Sequence, residues 1–353
     1  MSESADEDEV LFEVAGQAGL ITLNRPKALN ALSHDMVKAI AARLDDWETN
    51  PAITRIVLRG SGEKAFCAGG DIRQVYDMGA VQGLKSAPEQ TSFFADEYIL
   101  NSRIKHFPKP WVSLIDGIVM GGGVGLSVHG SHRVGTEKTL FAMPETGIGF
   151  FPDVGGSYFL PRMPRCTGYY CALTSARLKQ ADALLTGVLT HAVASASIPA
   201  LTDALCAGEP VEAALARHAV DAGPGPLLEV MDELERVFGL ASVDQIWQAL
   251  AASDSDFARN CLGMLASKSP TSLALTFEQL NRGAELDFNG CMRMEFRIVS
   301  EILKHTDFYE GVRSVLVDRD NAPRWQAASL AEVDRTGLAA YFGRPEGGDL
   351  PLP

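Results

Sequence analysis

The sequence predicts an α/β fold whose second half is mostly helical, and three observations carry that expectation. Strand and helix patterns alternate in a βαβ rhythm as far as about residue 195, the strand signal fades beyond it, and two glycine-rich segments each follow an expected strand. The expected organisation is a disordered acidic tail over residues 1–9, a core carrying the site over 10–195, and a helical region over 196–353.

The elements follow in order. From Val10 to Asn24, apolar and polar residues alternate around Gly16-Gln17-Ala18-Gly19, which predicts two strands joined by a hairpin turn. Ser33 is the expected N-cap of a helix in which Met36, Val37, Ile40, Leu44 and Trp47 recur at three- and four-residue spacing, and Asn50-Pro51 ends it. Residues 56–58 read as a buried strand, 98–104 as helix, 111–118 as strand, 122–129 as helix, and 132–134 and 139–143 as strands. Helical spacing then dominates in 228–238, 243–251, 269–280 and 288–303, where Phe288, Met292, Phe296, Val299 and Leu303 form one stripe. Gly223-Pro224-Gly225-Pro226 predicts a loop.

Composition narrows the partners. With 353 residues, 46% of them hydrophobic and 22% charged, the chain has the proportions of a globular protein and can bury a large core. Lys and Arg number 31 against 45 Asp and Glu, a net charge of −14, so the overall field repels phosphate backbones and anionic lipid surfaces. Neither nucleic acid nor a membrane is an expected partner. The most apolar stretch, 111–128, is interrupted by Ser113, Asp116 and several glycines and falls short of a membrane span. The six cysteines contain no C-x-x-C pair, and Met1 to Glu9 is acidic, without an apolar signal core or an Arg-rich transit pattern; together these predict a reducing, cytoplasmic setting.

Several common signatures fail on inspection. Gly121-Gly122-Gly123-Val124-Gly125 lacks the third glycine of a dinucleotide fingerprint, and the segments around Ser127 and Ser157 lack the closing glycine of a nucleophile elbow. His129 and His132 have no nearby acid at a metal-ligand spacing, so no metal site is expected. What remains is the pair Ala65–Ile72 and Gly121-Gly122-Gly123, where a glycine at a strand-to-helix turn leaves backbone N–H groups open to negative charge. The simpler alternative is that these glycines only permit tight turns. Downstream, Glu145 follows an apolar strand and Asp153 is bracketed by Phe150, Phe151 and Val154. Partial desolvation would raise both carboxyl pKa values toward the range of acid–base work; the alternatives are a helix N-cap for Asp153 and a solvated loop carboxylate for Glu145.

Asn24-Arg25-Pro26-Lys27-Ala28-Leu29-Asn30-Ala31-Leu32, the Ala65–Ile72 segment and Gly121-Gly122-Gly123 resemble, in order and spacing, the hallmark segments of the enoyl-CoA hydratase/isomerase (crotonase) superfamily. Residues 120–130, 143–161 and 307–313 are similar to its 3-hydroxyisobutyryl-CoA hydrolase branch, and the resemblance covers nearly the whole chain. It implies a crotonase-like spiral of ββα turns forming two roughly perpendicular sheets, followed by helices that often mediate trimers or hexamers. It also implies a coenzyme A thioester bound with its carbonyl oxygen between the N–H groups of Gly70 and Gly122. Backbone around Ala68 would join the adenine pocket, and Lys27 and Arg73 would approach the CoA phosphates.

Hydratases of this superfamily use two glutamates, and the position of the first is Gly125 here; Glu145 matches the second. Asp153 matches an aspartate of the hydrolases and of the dienoyl-CoA isomerases, and Glu97 a substrate-contacting glutamate of the hydrolases. The implied activity is therefore thioester hydrolysis of 3-hydroxyisobutyryl-CoA, an intermediate of valine breakdown, with Glu145 and Asp153 as the acid–base pair. It needs no metal and no cofactor beyond the CoA of the substrate. A dienoyl-CoA isomerase, a weak hydratase and a non-catalytic acyl-CoA binding protein are the alternatives.

Overall fold

The computed structural model describes residues 8–83 and 85–352. Residues 1–7 of the expected acidic tail lie outside the described residues. Asp8 and Glu9, which that tail included, are tied to the fold: Asn24 Nδ2 donates to Asp8 O at 3.0 Å and Arg25 Nε lies 2.9 Å from Glu9 Oε1. The Ser33 hydroxyl also donates to the Glu9 carboxylate.

The chain opens with β1 (Val10–Ala15), β2 (Ala18–Leu23), α1 (His34–Thr49), β3 (Arg55–Gly60), β4 (Ala65–Cys67), α2 (Ile72–Tyr76) and α3 (Pro88–Lys105). It continues through β5 (Trp111–Ile115), β6 (Ile118–Met120), α4 (Gly122–Ser127), β7 (His132–Gly135), β8 (Leu140–Ala142), α5 (Gly156–Phe159) and α6 (Thr167–Thr174). β9 (Leu178–Lys179), α7 (Gln180–Leu185) and β10 (His191–Ala192) close the strand-bearing part. Helices follow: α8 (Ile198–Cys206), α9 (Val211–His218), α10 (Leu227–Phe238), α11 (Val243–Ala251), α12 (Asp256–Ala266), α13 (Pro270–Ala284), α14 (Phe288–Ile302) and α15 (Thr306–Val312).

Strands alternate between two sheets. One has the order β1-β2-β3-β5-β7-β10 and the other β4-β6-β8-β9; apart from the β1–β2 hairpin and the β8–β9 pair, neighbours are parallel. Each turn of the spiral thus lays one strand in each sheet before the chain returns. The single strand expected over 111–118 is such a crossing, with β5 in the larger sheet and β6 in the smaller. Gly117 makes the corner: its φ is +116°, and a Cβ there would stand 2.6 Å from Lys64 O.

Ser33 caps α1 as the sequence implies, its hydroxyl accepting from Met36 N at 3.2 Å. α3 begins ten residues before the expected 98, with Pro88 in its first turn, where a missing N–H costs nothing. Its early turns escaped the periodicity because Gln90, Glu97 and Asn101 are buried beside Phe93, Phe94 and Tyr98, which erases the polar–apolar contrast. The larger hydrophobic cluster runs from Val10 through Met231 and Phe308 to Leu350, so the core is continuous across the boundary expected at 195. A second cluster seats α8 and α9, through Leu201, Leu205 and Leu215, on Leu20, Val57, Val112 and Val134 of the larger sheet. Among the described residues, no helix is long and apolar enough to cross a membrane.

Candidate active site

Gly70 follows β4 and Gly122 opens α4. The bonds beside Gly70 run from Leu32 N to Gly69 O at 2.8 Å and from Asp71 N to Leu32 O at 2.9 Å, so the Gly70 N–H takes no part in them. As the first residue of its helix, Gly122 has no intrahelical acceptor for its N–H. The two come together: a Cβ on Gly122 would lie 3.2 Å from Gly70 N and 2.6 Å from Glu97 Oε1. Close approach, and not a tight turn, is what requires glycine at 122, since its φ is negative while the turn itself is made by Gly121 at φ +46°.

The carboxylates face this backbone wall. Glu145 is only 6% exposed and Asp153 5%, which sets aside the solvated-loop alternative for Glu145. Asp153 does not cap α5 either. Gly155 holds the N-cap position without a side-chain bond, and the Asp153 carboxylate instead accepts from the Tyr98 hydroxyl at 2.7 Å. Burial pushes Asp153 up to about 7 while the Tyr98 hydrogen bond holds it down. Burial, followed by the charge of Asp153, raises Glu145 well above the usual carboxylate range, and Glu97 rises for the same two reasons with Glu295 and Glu145 adding to them. Glu97 Oε1 and Glu145 Oε2 are buried with no hydrogen-bond partner, polar atoms that a bound molecule can satisfy.

A cavity of about 660 Å³ unites these groups. Its lining includes Gly70, Gly122, Glu97, Glu145 and Asp153, together with Lys27, Ala68 and Arg73, so every residue singled out in the sequence reaches it. Arg73 is shared with Asp77, whose carboxylate it meets at 3.0 Å, and Lys27 is exposed. Val315, Leu316 and Arg319, from near the end of the chain, also line it. No motif pointed to these three, nor to Tyr98, because their place depends on how the C-terminal helices fold back. His129 is a packing residue: it is buried and meets Val154 O at 2.7 Å, and burial lowers its pKa to about 3.

The position of Gly125 is closed. A Cβ there would lie 2.7 Å from Val154 Cβ and 2.8 Å from Asn101 Nδ2, so no side chain reaches the cavity from this point of α4.

Residues 18–342 match the family described as Enoyl-CoA hydratase/isomerase. The chain is 45% identical to a protein from Danio rerio named 3-hydroxyisobutyryl-CoA hydrolase, mitochondrial, over all of this chain and 94% of that one. It is 43% identical to a human protein of the same name, over 99% of this chain and 92% of that one. Among solved structures it superposes with a TM-score of 0.92 on a carnitinyl-CoA dehydratase from Mycobacterium thermoresistibile, 42% identical and covering 97% and 98% of the two chains. It superposes at 0.91 on an enoyl-CoA hydratase from Rhodobacter sphaeroides 2.4.1, 36% identical and covering 98% and 100%. The names of the first two relatives overturn the cytoplasmic expectation, since both proteins are mitochondrial. All six cysteines are free, and free thiols separate reducing from oxidising compartments without distinguishing one reducing compartment from another.

Proposed function

The chain belongs to the enoyl-CoA hydratase/isomerase family, and we propose that within it this enzyme hydrolyses the thioester of 3-hydroxyisobutyryl-CoA to 3-hydroxyisobutyrate and free CoA. One observation carries the choice of hydrolysis over hydration. Glu145 and Asp153 share a cavity with the two unengaged amides, while the place of the first hydratase glutamate, Gly125, is filled by Asn101 and Val154.

In this reading the Gly70 and Gly122 N–H groups bind the thioester oxygen and gain strength as it becomes an oxyanion. Glu145 drives the attack, either as a general base that takes a proton from the attacking water or as a nucleophile that attacks the carbonyl, expelling the thiolate, to give an anhydride that water then opens. Both routes consume one water and release the acid and the thiol. A single turnover in ¹⁸O-water tests the anhydride route, since label enters Glu145 only when water opens such an anhydride at the glutamyl carbonyl. Asp153, poised near neutrality, passes a proton to the departing thiolate. Glu97, whose buried Oε1 has no hydrogen-bond partner, holds the substrate hydroxyl. The chemistry calls on no metal and no cofactor. Valine breakdown is the pathway such a substrate implies, and assembly into trimers or hexamers belongs to the same proposal.

The test is free-thiol release from 3-hydroxyisobutyryl-CoA by the purified protein, beside crotonyl-CoA hydration and dienoyl-CoA isomerisation. Rapid release with little activity on the other two is expected. A spectral change on an enoyl substrate without thiol release would overturn the reading in favour of the isomerase or hydratase branch.

A further inference from the structure

Glu295, on α14, does not line the catalytic cavity, yet it is a fully buried carboxylate that reaches the Asp153 turn. Its Oε2 accepts from Gly155 N and its Oε1 from Ser157 N, both at 2.8 Å. Between Asp153 and these donors the backbone is left-handed twice, at Val154 (φ +50°) and Gly155 (φ +87°). For a β-branched residue such as Val154 that conformation is strained and persists only where neighbours impose it. The neighbours are here: His129 bonds Val154 O at 2.7 Å, and Gln279 Nε2 donates to Pro152 O at 2.6 Å and to Ser157 Oγ at 2.8 Å. Glu295 alone among them grips the turn at two backbone points, which a carboxylate can do and an amide oxygen cannot match.

We propose that Glu295 is a positioning residue for Asp153, clamping the strained 152–157 turn so that the Asp153 carboxyl stays under the Tyr98 hydroxyl and faces the cavity. The inference rests on the hydrolytic role given to Asp153 above. The titratable groups around the turn are Asp153 and Glu145 in its own segment, Glu97 and Tyr98 from α3, His129 beyond α4, and Cys291 on α14. His129 is held neutral by burial, and the cations around the turn are Lys105 and Arg133, which act on His129, Lys268, which acts on Glu145, and Arg162, whose Nη1 donates to Tyr158 O at 2.7 Å. Glu295 itself is pushed up to about 8 by burial, against the pull of its backbone donors. Releasing the turn takes the Asp153 carboxyl from under the Tyr98 hydroxyl, the bond that holds its pKa down, so loss of the clamp moves the Asp153 titration to higher pH.

The experiment compares Glu295→Gln, which keeps one acceptor, with Glu295→Leu, which keeps none, in thiol release from 3-hydroxyisobutyryl-CoA across pH 6–9. The expected kcat falls about tenfold in the first and about a hundredfold in the second, with KM within about threefold, the pattern of a misplaced catalytic group. In both variants the inflection of kcat near 7 shifts upward, as the Asp153 carboxyl leaves the Tyr98 hydroxyl. Unchanged kcat and inflection, or losses that only follow the folded fraction, would overturn the clamp. Hydrogen exchange in the wild-type protein tests it without a variant: the Gly155 and Ser157 amides must be protected, and exchange at the rate of an open loop refutes the proposal. If the wild-type protein releases no thiol at all, the hydrolase reading fails, while the clamp still stands or falls on that exchange measurement.

Discussion

One wall of the cavity is backbone and the other is side chain, and different parts of the chain hold them. Gly70 and Gly122 lie just beyond the ends of β4 and β6, adjacent parallel strands of the smaller sheet, so the backbone leaving that pair carries their amides and no rotamer has to be frozen to aim them. Glu145 and Asp153 lie on a long connection after β8, and their support comes from far along the chain: Gln279 on α13 and Glu295 on α14. The first wall is inexpensive to position and, at Gly122, intolerant of a Cβ. The second costs desolvation, raises the carboxyl pKa values, and depends on residues more than a hundred positions away.

The sharpest way to separate the walls is to disable each in turn. Glu145→Gln is expected to lower kcat by about 10²–10⁴ while acyl-CoA binding stays nearly intact, since the amide is isosteric but can neither accept a proton nor attack. Turnover equal to wild type, with calorimetry showing normal binding, would remove Glu145 from the mechanism. Gly122→Ala attacks the other wall. Its methyl group would press on Glu97 Oε1 and Gly70 N, and the displacement of the two oxyanion donors predicts a fall of about 10²–10³ in kcat. Unlike the first variant it should also weaken substrate binding, because the methyl group occupies the place of the thioester oxygen.

Tyr98→Phe acts on one hydrogen bond of the side-chain wall. The Tyr98 hydroxyl holds the Asp153 carboxyl down, so its removal drives the Asp153 inflection in the kcat profile to higher pH, the same direction expected from Glu295→Gln, which frees the carboxyl from that hydroxyl. A rate loss of roughly tenfold at pH 7 is expected from one bond to a charged group. An inflection that stays in place would show that the profile reports some group other than Asp153.

The two walls also differ in how far the sequence revealed them. Gly70 and Gly122 were legible because a strand followed by glycine and helix is a local pattern, and Glu145 and Asp153 because carboxylates stand out in an apolar run. The sheet alternation was not: 111–118 reads as one strand, and only the Gly117 corner divides it between two sheets. Tyr98, Glu295 and Arg319 gave no signal, since a tyrosine in a buried helix, a glutamate in an amphipathic one and an arginine near the end acquire meaning only by packing. The support of an acid is a tertiary property, whereas an amide donor is written in the chain beside it.

The smallest effect expected is on stability, and it tests the cost assigned to the side-chain wall. Asp153 titrates near 7 and Glu295 near 8 in the folded protein, both above the ordinary carboxylate range because burial disfavours the charge. A folded-state pKa above the unfolded one means that the neutral form favours the native state. That contribution is complete at pH values below the unfolded pKa and disappears as pH rises through 7 to 8. The melting temperature should therefore fall between pH 6 and pH 9. Asp153→Asn, which cannot ionise, should fall less steeply and at pH 9 melt a few degrees above wild type, on the order of 2–4 °C for each kcal/mol of relief. The same variant should be slow in thiol release, so stability and activity move in opposite directions at one residue. Parallel melting curves across this pH range would mean that Asp153 is already ionised in the fold at pH 6, as it is in the unfolded chain, and the desolvation attributed to its wall would then be wrong.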